Sequence, residues 1–217
     1  KEFTVEEQKK MLLDVLRPNL QPPGVTWGKT VPTSEWEYIR VDEDGFISKL
    51  TFKKSPVVFK RDMPLKNFFP IFGPRLNHIS FDRDTQATSG DLNIFKGCVQ
   101  LEIIDLSGMR IHGNVCSSLQ DCSKLRIIRL IKTKISGSLD VFEKFNCLEQ
   151  LNLKGSNNLK GVMKAGFIAT VCRLRSKRGY NSVNLSDCGR FTLSNDMASL
   201  TKIKNLNLGG INSLTGS

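Results

Sequence analysis

The sequence predicts an α/β solenoid, a stack of similar coils sharing one core, and three observations carry that reading. One pattern recurs through residues 47–217: apolar residues at positions 1, 4 and 6, another five or six later, and Gly two residues after that. It is clearest in LEIIDLSGMRIHG (101–113), LRIIRLIKTKISG (125–137), LEQLNLKGSNNLKG (148–161) and IKNLNLGGINSLTG (203–216), with weaker copies at ISKLTF, LNHISF and YNSVNL. The copies begin at 47, 76, 101, 125, 148, 180 and 203, with spacings of 29, 25, 24, 23, 32 and 23. A period in the twenties is the signature of coils that cannot bury their own apolar face and must stack. Within each copy the 4-to-6 step is strand-like, so Ile104 and Leu106 point into the coil while Ile103, Asp105 and Ser107 face out. About seven such strands give a parallel sheet on the concave side.

The elements follow in chain order. Residues 1–46 form a cap: an amphipathic helix over Glu6–Leu16 with Met11, Leu12, Val15 and Leu16 on one side, ended by Pro18. Trp27 and Trp36 come next, then a strand at Tyr38–Val41, an acidic turn with Gly45, and the first repeat strand at Ile47. The repeats occupy 47–217, and the Gly closing each copy suits a tight corner. Two copies run long, around NFFPIFGPR (67–75) and around Gly161–Tyr180, and extra residues in a solenoid fall in surface segments. The longer, basic copy at 148–179 holds KAGFIATVCRLRSKRG, read as a helix with Ala165, Ile168, Ala169 and Cys172 on its apolar side and Gly179 as its stop.

These motifs resemble leucine-rich repeats, and SGMRIHGNV, KTKISGSL and INSLTGS resemble the plant-type subfamily in particular. VDEDGFISKLTF stands where that family's N-terminal cap carries a D-x-x-G-x-V-x-x-L-x-L hairpin. The resemblance covers essentially the whole chain and implies a right-handed, horseshoe-shaped solenoid. The family's cap usually holds paired cysteines, and residues 1–46 contain none. That departure points to an intracellular relative rather than a secreted receptor. Such repeats specify fold and say little about ligand.

Composition narrows the function. Residues 1–46 carry six basic and nine acidic side chains, whereas residues 47–217 carry 26 and 12. Much of this excess lies between Gln150 and Ser186, where Lys154, Lys160, Lys164, Arg173, Arg175, Lys177 and Arg178 occur without an acidic residue. A segment of this kind implies an acidic partner surface, with RNA or anionic lipid as alternatives. Cys98, Cys122 and Cys147 each precede a repeat's first apolar position, and are read as buried small hydrophobes in a reducing compartment. There is no CxxC, no Cys/His metal spacing and no run of eighteen apolar residues.

Catalytic constellations are missing too. His78 and His112 sit at different phases of different repeats, and no GxGxxG, GKS, GKT or HExxH occurs. Asp82, Asp84 and Asp91 crowd around Arg83 but lack calcium-loop order, so they read as an Arg-paired acidic turn. The outward columns, among them Asp105, Arg129 and Asn152, are polar and mixed in sign. Ile103, Ile127 and Ile131 form the candidate apolar contact patch, joined by Arg129 and by the cations Arg173, Arg175, Lys177 and Arg178. The expectation is a non-enzymatic module without cofactor, an accessory or scaffold subunit that binds acidic surfaces of other protein subunits. A receptor-like domain recognising a peptide or small ligand is the alternative. The chain starts at Lys1 and stops in NSLTGS inside a repeat, so a removed presequence, an organellar location and a continuing array are expected.

Overall fold

The computed structural model describes residues 3–21, 26–52, 58–59, 63–66, 71, 73–81, 88–178, 183–196 and 211–216. The chain enters through helix α1 (Val5–Met11), closed by a capping box in which Glu7 N–H donates to Thr4 Oγ1 and Thr4 N–H to Glu7 Oε2. It widens over Leu12–Leu16 and tightens over Arg17–Asn19, so the run expected as one helix is regular only in its first half. Pro18, with no N–H to donate, lies in that last tight turn. Met11, Leu12 and Leu16 are buried as expected, while Val15 packs only partly. Buried Gln8 accepts the Ile47 N–H at 2.9 Å, tying the helix to the first repeat.

Strand β1 (Leu20–Gln21) is followed by the tryptophans. Trp27 and Trp36 stack at 5.6 Å, and Phe52 and Phe81 continue the aromatic column at 5.7 Å. Both indole N–H groups are satisfied, Trp27 on the Glu37 carbonyl and Trp36 on the Val31 carbonyl. The expected hairpin is present as β2 (Ile39–Val41) against β3 (Ile47–Thr51). Asp42 Oδ1 accepts from the N–H groups of Asp44 and Phe46 to shape its turn, and Gly45 takes φ +86.

Strand β4 (Val58–Phe59) pairs with β1, and the chain then alternates between an inner and a lateral position. In order these are β5 (Met63–Pro64), β6 (His78–Ser80), β7 (Thr88–Asp91), β8 (Ile103–Asp105), β9 (Arg110–Asn114), β10 (Ile127–Arg129), β11 (Lys134–Ser136), β12 (Gln150–Asn152), β13 (Lys160–Met163), β14 (Val183–Asn184), β15 (Cys188–Leu193) and β16 (Ile211–Gly216). The inner sheet runs β14-β12-β10-β8-β6-β3-β2, six parallel repeat strands closed at one edge by antiparallel β2. The strand expected from Ile203 lies outside the described residues.

The lateral strands were not anticipated. They form a second sheet, β11-β9-β7-β5, and a third, β13-β15-β16, joined at the bridge between Gly137 and Leu159. Arg110-Ile111-His112 and Lys134-Ile135-Ser136 alternate out, in, out, with Ile111 and Ile135 fully buried. The closing glycines then turn the chain outward: Gly113 and Gly137 both sit at φ +112, and a Cβ on Gly113 would fall 3.0 Å from the Leu92 backbone nitrogen. The residue after each glycine caps the next short helix. Asp91, Asn114 and Ser138 accept from the N–H two residues on, starting the 3-10 turn Leu92–Phe95, helix α2 (Val115–Leu119) and the 3-10 turn Leu139–Lys144.

Helix α3 (Ala165–Arg178) fills the corresponding place in the long copy. It buries Phe167, Ile168, Val171 and Leu174, whereas Ala169 is exposed and Cys172 half-buried. Of the expected stripe Ala165 and Ile168 are buried; the packed side is otherwise rotated toward the bulky Phe167, Val171 and Leu174. Phe142 and Phe167 meet at 6.5 Å. Asp105 and Ser107, expected to face out, are buried at 4% and 2% exposure. Asp105 is in outward register with Arg129, whose side chain reaches it, and the Ile131 N–H donates to Ser107 Oγ.

Leu151 sits at 0% exposure in the shared core. Leu151→Asp is expected to cost more than about 4 kcal/mol and to unfold the adjoining coils with its own, since an unpaired charge would be buried. Urea denaturation followed by far-UV circular dichroism checks this, and an unchanged midpoint would contradict the register.

Candidate functional site

The inner sheet places two outward columns side by side. Across β8, β10 and β12, Ile103, Ile127 and Gln150 are in direct register, and so are Asp105, Arg129 and Asn152. Ile103 and Ile127 are half-buried neighbours on adjacent strands and continue from His78 of β6. Arg129 is held from both sides: Nη1 donates to Asp105 Oδ2 at 3.3 Å and Nη2 donates to Gln150 Oε1. At the strand entrance, Arg126 bridges Glu102 and Glu149 at 3.4 and 3.0 Å. Toward β3 the first column continues from His78 to Lys49 and then to Arg40 of β2, while the Thr51 and Ser80 hydroxyls lie 2.6 Å apart and His78 Nε2 is 3.3 Å from Ser80. The result is an orderly polar surface with a two-isoleucine patch beside a fixed guanidinium.

Ile131 does not join that patch in the same way. It follows β10 on the same repeat as Ile127, is only 8% exposed, and its N–H donates to Ser107 Oγ at 3.4 Å. The basic segment separates as well. Arg173 turns back onto the preceding coil, where its guanidinium donates to the carbonyls of Phe145, Asn146 and Leu148 at 3.2–3.3 Å. Lys164 pairs with Asp140 at 2.8 Å. The backbone of Arg175, Lys177 and Arg178 is helical, and their side chains lie outside the described residues.

Among the described residues the two histidines lie apart from one another. His112 lies on exposed β9 beside Asp91 at 3.5 Å, away from His78. Among the described residues no group of three His, Cys, Asp or Glu could hold a metal ion. Asp82, Arg83 and Asp84 lie outside the described residues, and Asp91 acts as a helix cap. Cys98 and Cys122 are fully buried as expected, but Cys147 is exposed. Phe145 takes the equivalent place, three residues before Leu148, so the cysteine is pushed to the surface. Burial raises the thiols of Cys98, Cys122 and Cys188 from the ordinary 9.0 to about 12.

Comparison with solved structures finds the same architecture in the ectodomain of the Arabidopsis receptor kinase HAESA bound to an N-terminally extended IDA peptide hormone. The TM-score is 0.61 at 18% identity, over 96% of this chain and 34% of that one. The chain has the leucine-rich repeat fold. Further likenesses are the BIR2 ectodomain of Arabidopsis thaliana (TM-score 0.56, 14% identity, 87% of this chain and 94% of that one) and the BIR3–SERK2 complex of the same plant (0.55, 14%, 83% and 93%). No protein-family model and no curated protein matches the chain.

These likenesses correct the expectation of a reducing intracellular or organellar compartment, because the HAESA and BIR2 structures that share the fold are ectodomains. The inference from cysteine usage fails for a physical reason. Cys98, Cys122 and Cys188 are packed core side chains, shielded by the fold and not by the redox state around it. No described helix is long and apolar enough to cross a membrane.

Two measurements test these placements. Arg173→Ala leaves the Asn146 and Leu148 carbonyls without their donor, the Phe145 carbonyl keeping the Leu148 N–H, and is expected to cost about 1–3 kcal/mol in urea denaturation; Arg173→Lys recovers little, since an ammonium cannot reproduce the fork. Native thiol titration at pH 8 is expected to label Cys147 rapidly, and Cys98, Cys122 and Cys188 only in denaturant. Raised thiol values favour the folded state fully below the ordinary 9.0, and that contribution is lost as pH climbs from 9.0 toward about 12. A stability plateau extending through that window would contradict the burial.

Proposed function

We propose that the chain is a non-catalytic recognition module, a receptor-like leucine-rich repeat domain that binds a peptide or an extended segment of a partner protein on its inner sheet. The observation that carries this is the juxtaposition of Ile103 and Ile127 with Arg129, already held by Asp105 and Gln150. An apolar anchor beside a pre-oriented cation suits contact with an extended chain: the isoleucines pack against a side chain and the guanidinium donates to a carbonyl or carboxylate. The polar columns around them supply hydrogen-bonding partners over a broad, shallow surface. The likeness to HAESA in complex with a peptide hormone supports this reading over that of a scaffold subunit.

Display of a random peptide library against the folded domain provides the test. Enriched peptides are expected to lose about tenfold or more in affinity, worth about 1.4 kcal/mol, with Ile103→Asp/Ile127→Asp and with Arg129→Ala. A control change on the exposed convex side, Gln120→Ala, is expected to leave affinity unchanged. Peptides that bind all variants equally would move recognition off this face.

A further inference from the structure

The lateral sheets gather cations that the fold does not use. Lys134, Lys160 and Arg190 are exposed on the lateral strands, and Lys132 and Lys154 are exposed at the corners leading into them. Two like-charged pairs are neighbours across it. Lys160 of β13 and Arg190 of β15 are direct register partners. At the corner leading into the sheets, the Lys132 N–H donates to the Lys154 carbonyl at 2.7 Å. Like charges set opposite each other on a sheet weaken it, so the free protein carries a cost here. Among the described residues Lys132, Lys134, Lys154, Lys160 and Arg190 make no ion pair, whereas Arg75, Arg126, Arg129 and Lys164 each do. Asp91 on the same flank is engaged by His112.

We propose that this lateral face binds an acidic polypeptide segment laid across the strands, with carboxylates seated between the paired cations. Four of the five cations are lysines, point charges on flexible stems that neutralise carboxylates without demanding the planar geometry that selects Arg for phosphate. The exposed positions of β9, β11 and β13 carry no Phe, Tyr or Trp, so the face lacks a stacking platform for single-stranded nucleic acid. Beside Lys160 lies Val162, 44% exposed, which offers one apolar contact to a side chain between the carboxylates. Carboxylates on one side of an extended chain recur about every 6.7 Å, within reach of lysines on strands about 4.8 Å apart. Lys134, Lys160 and Arg190 lie on sheets that share no strand with the inner one, so either assignment can fail alone.

The folded domain is titrated with fluorescent poly-L-glutamate, with a single-stranded DNA of matched charge in parallel. Lys154→Glu/Lys160→Glu is compared with Lys96→Glu/Lys124→Glu, which makes the same charge change at exposed sites away from the lateral sheets. Expected are tighter binding of poly-L-glutamate than of DNA and a loss of about tenfold or more only in the lateral variant. Lys160→Glu alone is expected to raise Tm by about 1–3 °C, because it turns a like pair into an opposite one, while lowering affinity. That combination separates lost binding from lost folding. Equal losses in both double variants would reduce the effect to net charge, tighter DNA binding would make the face a nucleic-acid surface, and a Tm for Lys160→Glu at or below that of the parent would remove the strained pair; each overturns the proposal.

Discussion

Leu50, Ile79, Ile104, Ile128, Leu151 and Val183 are direct register partners, strand after strand, and none is more than 3% exposed. Every other feature hangs from this apolar spine. A slip of one residue on any strand would turn its whole inward set to water, so the pairing is fixed by burial rather than by the hydrogen bonds alone. Because the spine locks the register, the residues between its members are locked too. Asp105 meets Arg129, Ile103 meets Ile127, and Arg126 falls between Glu102 and Glu149 without local sequence specifying those meetings.

The spine also dictates the corners. Just after β8, β10, β12 and β14 the backbone passes through the left-handed region at Gly108, Lys132, Gly155 and Asp187, one per coil. Two of the four are not glycine, so the strain of Lys132 and Asp187 is borne by the stacked neighbours on either side. The next residue inward, Met109, Thr133, Ser156 or Cys188, is buried each time. Its polar versions are satisfied internally: Thr133 and Ser156 hydroxyls both donate to the Leu130 carbonyl and lie 3.0 Å apart, and the Cys188 thiol donates to the Leu153 carbonyl. This is why a mixed column of sulfur and hydroxyl side chains is tolerated in a dry position.

Charge is distributed by the same geometry. A basic segment that is continuous in sequence is divided in space: Arg173 goes to backbone carbonyls, Lys164 to Asp140, and Lys154 and Lys160 to the lateral flank. Cations from two other repeats, Lys132 and Lys134 from one and Arg190 from another, arrive beside the last two. The middle of the inner face, by contrast, pairs Arg126 and Arg129 with carboxylates, which leaves it ordered and directional.

The sequence by itself determined the coil, its period, the inward residues at positions 1, 4 and 6, the cap hairpin and the turn glycines. These depend on local alternation and on residues that alone tolerate a given backbone, and both are visible within a dozen positions. The candidate site was legible only in part. The pairing of Ile103 with Ile127 follows from matching phases, while the burial of Ile131 and Asp105 depends on what the next coil lays over them. The lateral sheets were legible in principle, through the alternation around Ile111 and Ile135, but a three-residue strand has no signal of its own until a neighbour pairs with it. Tertiary structure alone decided that Arg173 is a structural donor, that Cys147 is displaced by Phe145, and that cations from three repeats share one flank. Those outcomes depend on distances between coils, and no spacing within a coil encodes them.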